Sequence, residues 1–529
     1  MVANFSPALA IIAASLALGV LGTLIYRLIL HPLNRYPGPL LSRTTGLPVL
    51  YHAWKGDLHY HLYRLHCAYG ENVRYSPNKL SINNVKALAD IYGFNKNVSK
   101  PEEFYSAFRV NKHAVNTFNT SSKEGHRRKR RLMAQAFSET ALRSYERFIS
   151  IRVDEFVRKM NGWRELEYRP LGTRTFNMAY EFNCLMLDIM GGLCFGEAFG
   201  FVTGKGDKVM SQAHARAFRI YMTGHEPLLK RTYLDRLFFP QLLRAHNALG
   251  NYARYYTFRR ITKHRNEGNG IDDFAERGYE DIMSHLLDSG DGETGTKYSD
   301  DELLGEGVLM MMAGSDTSSS SLTATMFYLV QHPSILGKLQ ADLHASFPTL
   351  SSIQPVAAEN HRYLRACMDE AMRLSPPAPT NIPRVVGQGG IKVVNEHLSE
   401  NVYVGVPNFS IFRDENSFAK PHDYIPERWI ADPANGVSEA SVKRAQQAFQ
   451  PFSLGPRHCI GKHLAIKEVS FILANVLWLF EVEKVEGSGL LHEHLPRVDG
   501  KVVMKQSDVY TSLEEGPEVK LTLRGDLKP

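Results

Sequence analysis

The stretch Phe452-Ser453-Leu454-Gly455-Pro456-Arg457-His458-Cys459-Ile460-Gly461 sets a cysteine in a turn just ahead of an apolar helical pattern, KHLAIKEVSFILANVLWLF at 462–480. A helix mouth leaves backbone N–H groups unpaired, and the helix dipole favours negative charge there. Such a place lowers a thiol's pKa and bears the charge of a thiolate. Gly455 permits a tight turn, and Gly461 lets a flat partner approach the backbone closely. Arg457 supplies a cation two residues from the sulfur. The stretch is built to hold a thiolate against a large, planar, anionic object.

The other cysteines, Cys67, Cys184, Cys194 and Cys367, lack ligand-like spacing and read as buried, inert thiols. Five cysteines in 529 residues exclude a disulfide scaffold and indicate a reducing compartment. The chain is 43% hydrophobic, 22% charged and 10% aromatic, which excludes wholesale disorder and low-complexity protein. Length alone suggests three or four domains at roughly 150 residues each. A net charge of +7 is too weak to argue for a nucleic-acid partner, and none is expected.

Ala8 to Tyr26 carry no charge, and 19 residues of helix match the hydrocarbon thickness of a bilayer. Arg27, His31 and Arg35 follow the apolar run and no basic residue precedes it, so the body is expected in the cytosol. The expected organisation is a lumenal N-terminus at 1–7 with a sequon at Asn4, and a transmembrane anchor helix at 8–30. A stiff proline-rich elbow at 31–40 and one catalytic domain at 41–529 follow. Helical patterns dominate the body, with short extended segments near 71–84, 384–406 and 500–525. Gly290 to Lys297 read as an exposed loop, since Gly-Thr-Lys is the wrong order for a phosphate loop.

FxxGxRxCxG is the haem-binding signature of the cytochromes P450. Phe452, Gly455, Arg457, Cys459 and Gly461 match it at every fixed position, so the chain resembles that family. The resemblance implies the cytochrome P450 fold, mainly α with small β-sheets (α+β), plus one N-terminal transmembrane helix. It also implies haem b (iron protoporphyrin IX) with Cys459 as the axial thiolate and sole protein ligand of the metal. A thiolate pushes electron density onto iron and favours O–O cleavage.

Further motifs fit the same family. Glu370 and Arg373 share a helix face at i, i+3, and the resemblance pairs them with Arg428 of Pro426-Glu427-Arg428 in a buried structural triad. Ala313-Gly314-Ser315-Asp316-Thr317 is similar to the family's oxygen-binding groove. There Ala313 and Gly314 leave room for O2, Thr317 bonds the bound oxygen, and Asp316 relays protons. The run Ser318 to Ser321 after it has no function assigned by the resemblance. His126 and Arg130 lie at i, i+4 and match a pair that holds a haem propionate, as does Arg384. Arg128, Lys129 and Arg131 are expected to form a basic surface that steers an acidic reductase. Leu185–Gly200, the PGPL elbow and LAIKE at 464–468 extend the likeness along the chain. It points toward microsomal enzymes of fungal secondary metabolism, such as trichothecene or polyketide oxygenases and benzoate para-hydroxylases.

The function implied is a haem-thiolate monooxygenase of the endoplasmic reticulum membrane, single-pass, with its catalytic domain in the cytosol. It takes O2 and electrons from a separate NADPH–cytochrome P450 reductase, with cytochrome b5 as a second donor. The N-terminal helix binds membrane lipid, and the substrate is a lipophilic or aromatic small molecule. Family topology nominates a substrate pocket of Phe104, Tyr105, Phe108, Leu309, Met310, Ala313, Thr380, Asn381, Ile382, Thr511 and Ser512. Two alternatives stay open: an isomerase or dehydratase of the same fold, and a non-catalytic membrane haem protein. Asp316-Thr317 argues against both.

Overall fold

The computed structural model describes residues 7–162, 174–207, 213–266, 278–293, 295–498 and 500–525. Residues 1–6 of the lumenal N-terminus expected at 1–7, with its sequon, lie outside them. The chain is organised around a 32-residue central helix, Asp300–Gln331. Its start is fixed locally: Ser299 accepts from the Glu302 N–H while the Glu302 carboxylate accepts from the Ser299 N–H. Asp300, Asp301 and Glu302 complement the helix dipole in the first turn. Beyond that turn the helix is buried on nearly every face, as suits the axis of a large core. Several of its hydroxyls cap its own carbonyls or reach neighbours, while Thr323 Oγ1 is buried without a partner. Ser319 donates to Asp316 O at 3.0 Å and Ser321 to Thr317 O at 2.9 Å, while Ser320 donates to the Glu514 carboxylate. Three of the four buried hydroxyls of the serine run are thereby hydrogen-bonded.

Met178–Phe195 packs along the central helix, and the cysteine helix Lys462–Leu479 joins the same core, which extends from Leu132 to Leu521. A five-stranded sheet lies apart from it, in the order 72–76, 79–82, 403–405, 384–386, 98–99. Strand 79–82 pairs parallel to 403–405, and the other pairings are antiparallel. All three extended segments read from the sequence contain strands.

The N-terminal helix Pro7–Ile25 continues as a wider turn of helix over Tyr26–Leu30. Ile11–Leu30 is long and apolar enough to cross a membrane, and none of it is buried by the rest of the chain. The elbow at 31–40 is not a free spacer. Leu33 and Tyr36 are buried against the five-stranded sheet, and the fully buried Arg74 donates to Arg27 O at 2.8 Å. The Arg74 N–H also donates to Pro37 O at 2.8 Å, so the link is bolted to the sheet edge.

Candidate active site

The cysteine loop is held by its own backbone: the Cys459 N–H donates to Phe452 O at 2.9 Å and the His458 N–H to Gly455 O at 3.1 Å. Gly455 sits at φ +66°, where a Cβ would stand 2.1 Å from Tyr92 O. Gly461 differs, because a Cβ there would touch only Phe137 at 3.8 Å and Cys459 Sγ at 4.0 Å. The missing side chain keeps the space beside the sulfur open. Gly455→Ala is expected to lower the urea midpoint, since the left-handed backbone alone costs about 1–2 kcal/mol. Gly461→Ala should leave stability within about 0.5 kcal/mol yet lower haem occupancy, measured by pyridine haemochrome.

Cys459 is exposed to a partly open cavity of ≈ 320 Å³. Burial pushes its thiol up, and the Gly461 N–H, Arg130 and Lys462 pull it down without reversing the shift. Arg457 is therefore not the thiol's counter-ion. It donates instead to Thr120 O at 2.9 Å and Ser122 O at 3.2 Å, and lines the cavity beyond.

Val308, Leu309, Met312, Ala313, Asp316 and Thr317 present one face of the central helix to the same cavity. Thr317 Oγ1 donates to Ala313 O at 2.7 Å. Burial pushes the Asp316 carboxyl up to about 7, with Arg216 opposing. Gly314 does not face the cavity. A Cβ there would lie 2.6 Å from Met190 Sδ, so this glycine serves helix packing and not room for O2.

Lys100, Arg384 and Arg457 line one region of the cavity, and none has a carboxylate partner among the described residues. Lys100 donates to Phe118 O at 2.5 Å, and its ammonium lies 4.4 Å from the Tyr105 ring centroid. Burial first, then Arg384 and Arg457, push Lys100 well below its ordinary value. His126, buried nearby, is pushed down to about 3 by burial and then by Arg457, Lys100, Arg130 and Arg384. Arg130 donates to His458 O at 2.9 Å. Neither His126 nor Arg130 lines the cavity itself. An open thiol, a flat gap beside it and a cluster of uncompensated cations suit a planar metal macrocycle bearing carboxylates.

Glu370, Arg373 and Arg428 meet in the core. Glu370 accepts from Arg373 at 2.8 and 3.0 Å, Arg428 at 2.9 Å, Trp429 Nε1 at 3.0 Å and the Ile425 N–H at 2.9 Å. Arg373 spends its remaining donors on the Phe412, Pro421 and Asp423 carbonyls.

The nominated pocket is only partly right. Phe108, Leu309, Ala313, Ile382 and Thr511 line the cavity. Phe104 packs behind, against Tyr105, Phe108 and Tyr510. Tyr105 is fully buried beside Arg384, with 3.3 Å between its hydroxyl and Nη1. Met310 turns into the main core. Thr380 and Asn381 are buried outside the lining, Asn381 bridging to Pro407. Ser512 donates to Pro376 O at 2.9 Å. Sequence reasoning missed Lys100, Phe118, Arg216 and Ile220, all of which line the cavity. Arg216 and Arg219 interrupting an apolar helical pattern were the available signal.

The expected basic surface is also corrected. Arg128 and Lys129 pair with Glu302, Lys129 is buried, and Arg131 pairs with Asp291 at 2.8 Å and Glu293 at 2.7 Å. These carboxylates, distant in sequence, neutralise the run and tie the 290–297 loop to it. Asp291 is itself buried, so that loop is not simply exposed.

Comparison with known proteins agrees with this geometry. The family model for cytochrome P450 matches residues 37–511. Cytochrome P450 monooxygenase AFT11-1 of Alternaria alternata is 34% identical over 509 residues, 95% of each chain. Cytochrome P450 monooxygenase poxM of Penicillium oxalicum is 32% identical, over 95% of this chain and 92% of its own. Averantin hydroxylase of Dothistroma septosporum is 31% identical, over 89% and 84%. With a thiol, an acid–threonine pair and a cation cluster around one cavity, the chain belongs to the cytochrome P450 family and is a haem-thiolate monooxygenase.

Proposed function

We propose that the protein hydroxylates a lipophilic or aromatic intermediate of fungal secondary metabolism, using haem b and electrons from a separate NADPH reductase. One observation carries the reading: Cys459, Asp316 and Thr317 open onto the same mainly apolar cavity. Cys459 would hold the haem iron, and Lys100, Arg384 and Arg457, which line the cavity, its propionates, with His126 and Arg130 supporting them from behind the lining. When bound, the haem supplies O2 activation and insertion of one oxygen atom into a C–H bond.

The chain's own residues do the rest. Phe108, Ile220, Leu309 and Met312 exclude water and select an apolar body. Asp316, pushed up to about 7 by burial, would take up and give back protons near neutral pH. Thr317 holds a proton at Oγ1, one residue along, and its bond to Ala313 O fixes the rotamer. Behind the cysteine loop, a surface concavity carries Arg362, Lys462 and His458 beside Glu359 and an Arg365–Asp369 ion pair at 2.9 Å, and reductase docking is proposed there. Membrane residence, proposed to be in the endoplasmic reticulum, has a second support besides the apolar helix. Leu47, Tyr51 and Trp54 are exposed, as are Tyr233, Leu237 and Phe238.

Thr317→Ala tests the reading. With reductase, and averantin as the first substrate to assay, product formed per NADPH consumed should fall about 100-fold while haem content stays unchanged. Unaltered coupling in the variant would remove the acid–threonine pair from the chemistry.

A further inference from the structure

Arg216 stands on the helix Ala213–His225, and with Ala217 and Ile220 it lines the cavity. It is 5% exposed, and its Nε has no hydrogen-bond partner. No carboxylate pairs with it among the described residues. Arg219, one turn on and equally buried, shows what the fold supplies when an arginine is structural, because it donates to Asp235 at 2.5 Å. Arg216 has no such carboxylate. Asp316 is the acid whose charge acts on it, and the two form no ion pair or hydrogen bond. His246 is pressed toward the same arginines and held neutral, pushed down to about 2 by burial and then by Arg216 and Arg219. The propionates do not account for Arg216 either. Its charged neighbours are Asp316 and Arg219, not Lys100, Arg384 or Arg457.

A buried guanidinium without a counter-ion is costly to keep. Here it faces the space where substrate sits. We infer that the substrate carries a carboxylate or comparable oxyanion, and that Arg216 binds this group. A guanidinium fork can hold both oxygens of a carboxylate. Such a contact fixes one end of an otherwise apolar molecule and so decides which carbon faces the reacting centre. The inference rests on the reading of this cavity as the substrate site of a haem enzyme.

The test uses full-length holoenzyme in bilayer discs and two matched probe pairs, decanoate with decanamide and 2-naphthoate with 2-naphthamide. Binding is read by equilibrium dialysis. In at least one pair the acid should bind at least about tenfold tighter than its amide. Arg216→Gln should abolish that preference with amide affinity unchanged, and Arg216→Lys should keep part of it. The inference falls if neither pair shows an acid preference, including through lack of binding, or if the preference survives in R216Q. If R216Q does not load haem, the wild-type preference and its partial retention in R216K decide. The haem reading is judged separately, by the carbon monoxide spectrum of the wild-type protein, so the two failures are distinguishable.

Discussion

Replacing Glu370 by Gln is expected to remove about 3–5 kcal/mol of stability and to leave little soluble, haem-loaded protein. Five donors converge on this carboxylate, and two of the groups that supply them are buried guanidiniums. A glutamine offers one accepting oxygen and turns an NH2 toward donors. Arg373 and Arg428 would then be buried with no anion between them. The loss is large against a total stability of roughly 5–15 kcal/mol. It should appear in the soluble yield and in the urea midpoint. Arg373→Lys should also fail, because an ammonium cannot serve Glu370 and three carbonyls with the guanidinium's geometry. A Glu370→Gln protein with a wild-type midpoint would show that the cluster does not hold the segment leading to the cysteine loop. The pH dependence has a definite sign. Burial raises the Glu370 pKa, but Arg373 and Arg428 outweigh it and hold it below the ordinary 4.5. Its contribution is complete above that value and is lost as the pH falls through the lower, folded one.

Lys100→Met should move two quantities in opposite directions. In the haem-free chain the substitution removes an ammonium that burial, Arg384 and Arg457 all disfavour, so the urea midpoint should rise. In the holoprotein it removes a charge-assisted bond worth about 1.5–3 kcal/mol. Haem transfer to apomyoglobin should then be roughly ten- to a hundredfold faster. The pH behaviour follows the same logic. The folded ammonium gives up its proton more readily than the unfolded one. The haem-free wild type should therefore lose stability as the pH falls from 10.5 through the folded value. If haem-free stability and haem retention both fell in the variant, Lys100 would be a packing residue and not part of a propionate site.

The parts of the site that sequence made legible are those written in contiguous residues. The cysteine loop needs its glycines, arginine and thiol within ten positions, and the capping pair that starts the central helix, Ser299 and Glu302, is likewise local. What sequence left illegible depends on partners far along the chain. The basic run at 126–131 looked like a free cationic face because Glu302, Asp291 and Glu293 lie some 160 residues or more away. Gly314 marked a close approach, but the approaching atom belongs to Met190 and not to the cavity. Lys100 and Arg216 are lone cations in mixed sequence, and nothing local separates a paired cation from an unpaired one. The proline-rich elbow read as stiff, but its attachment to the body did not show, because its anchor, Arg74, is a single residue in the strand 72–76. The pocket residues came from family topology and not from helical period, which is why Met310, one position on from Leu309 and turned into the main core, was nominated together with the cavity-lining Leu309 and Ala313.

The most direct measurement is the reduced, carbon monoxide-bound difference spectrum of the full-length protein and of Cys459→Ser. The wild type should show the red-shifted Soret band of thiolate-ligated haem, and C459S should lose that band whether or not it retains haem. A C459S protein that kept the band, or a haem-loaded wild type without it, would contradict Cys459 as the ligand.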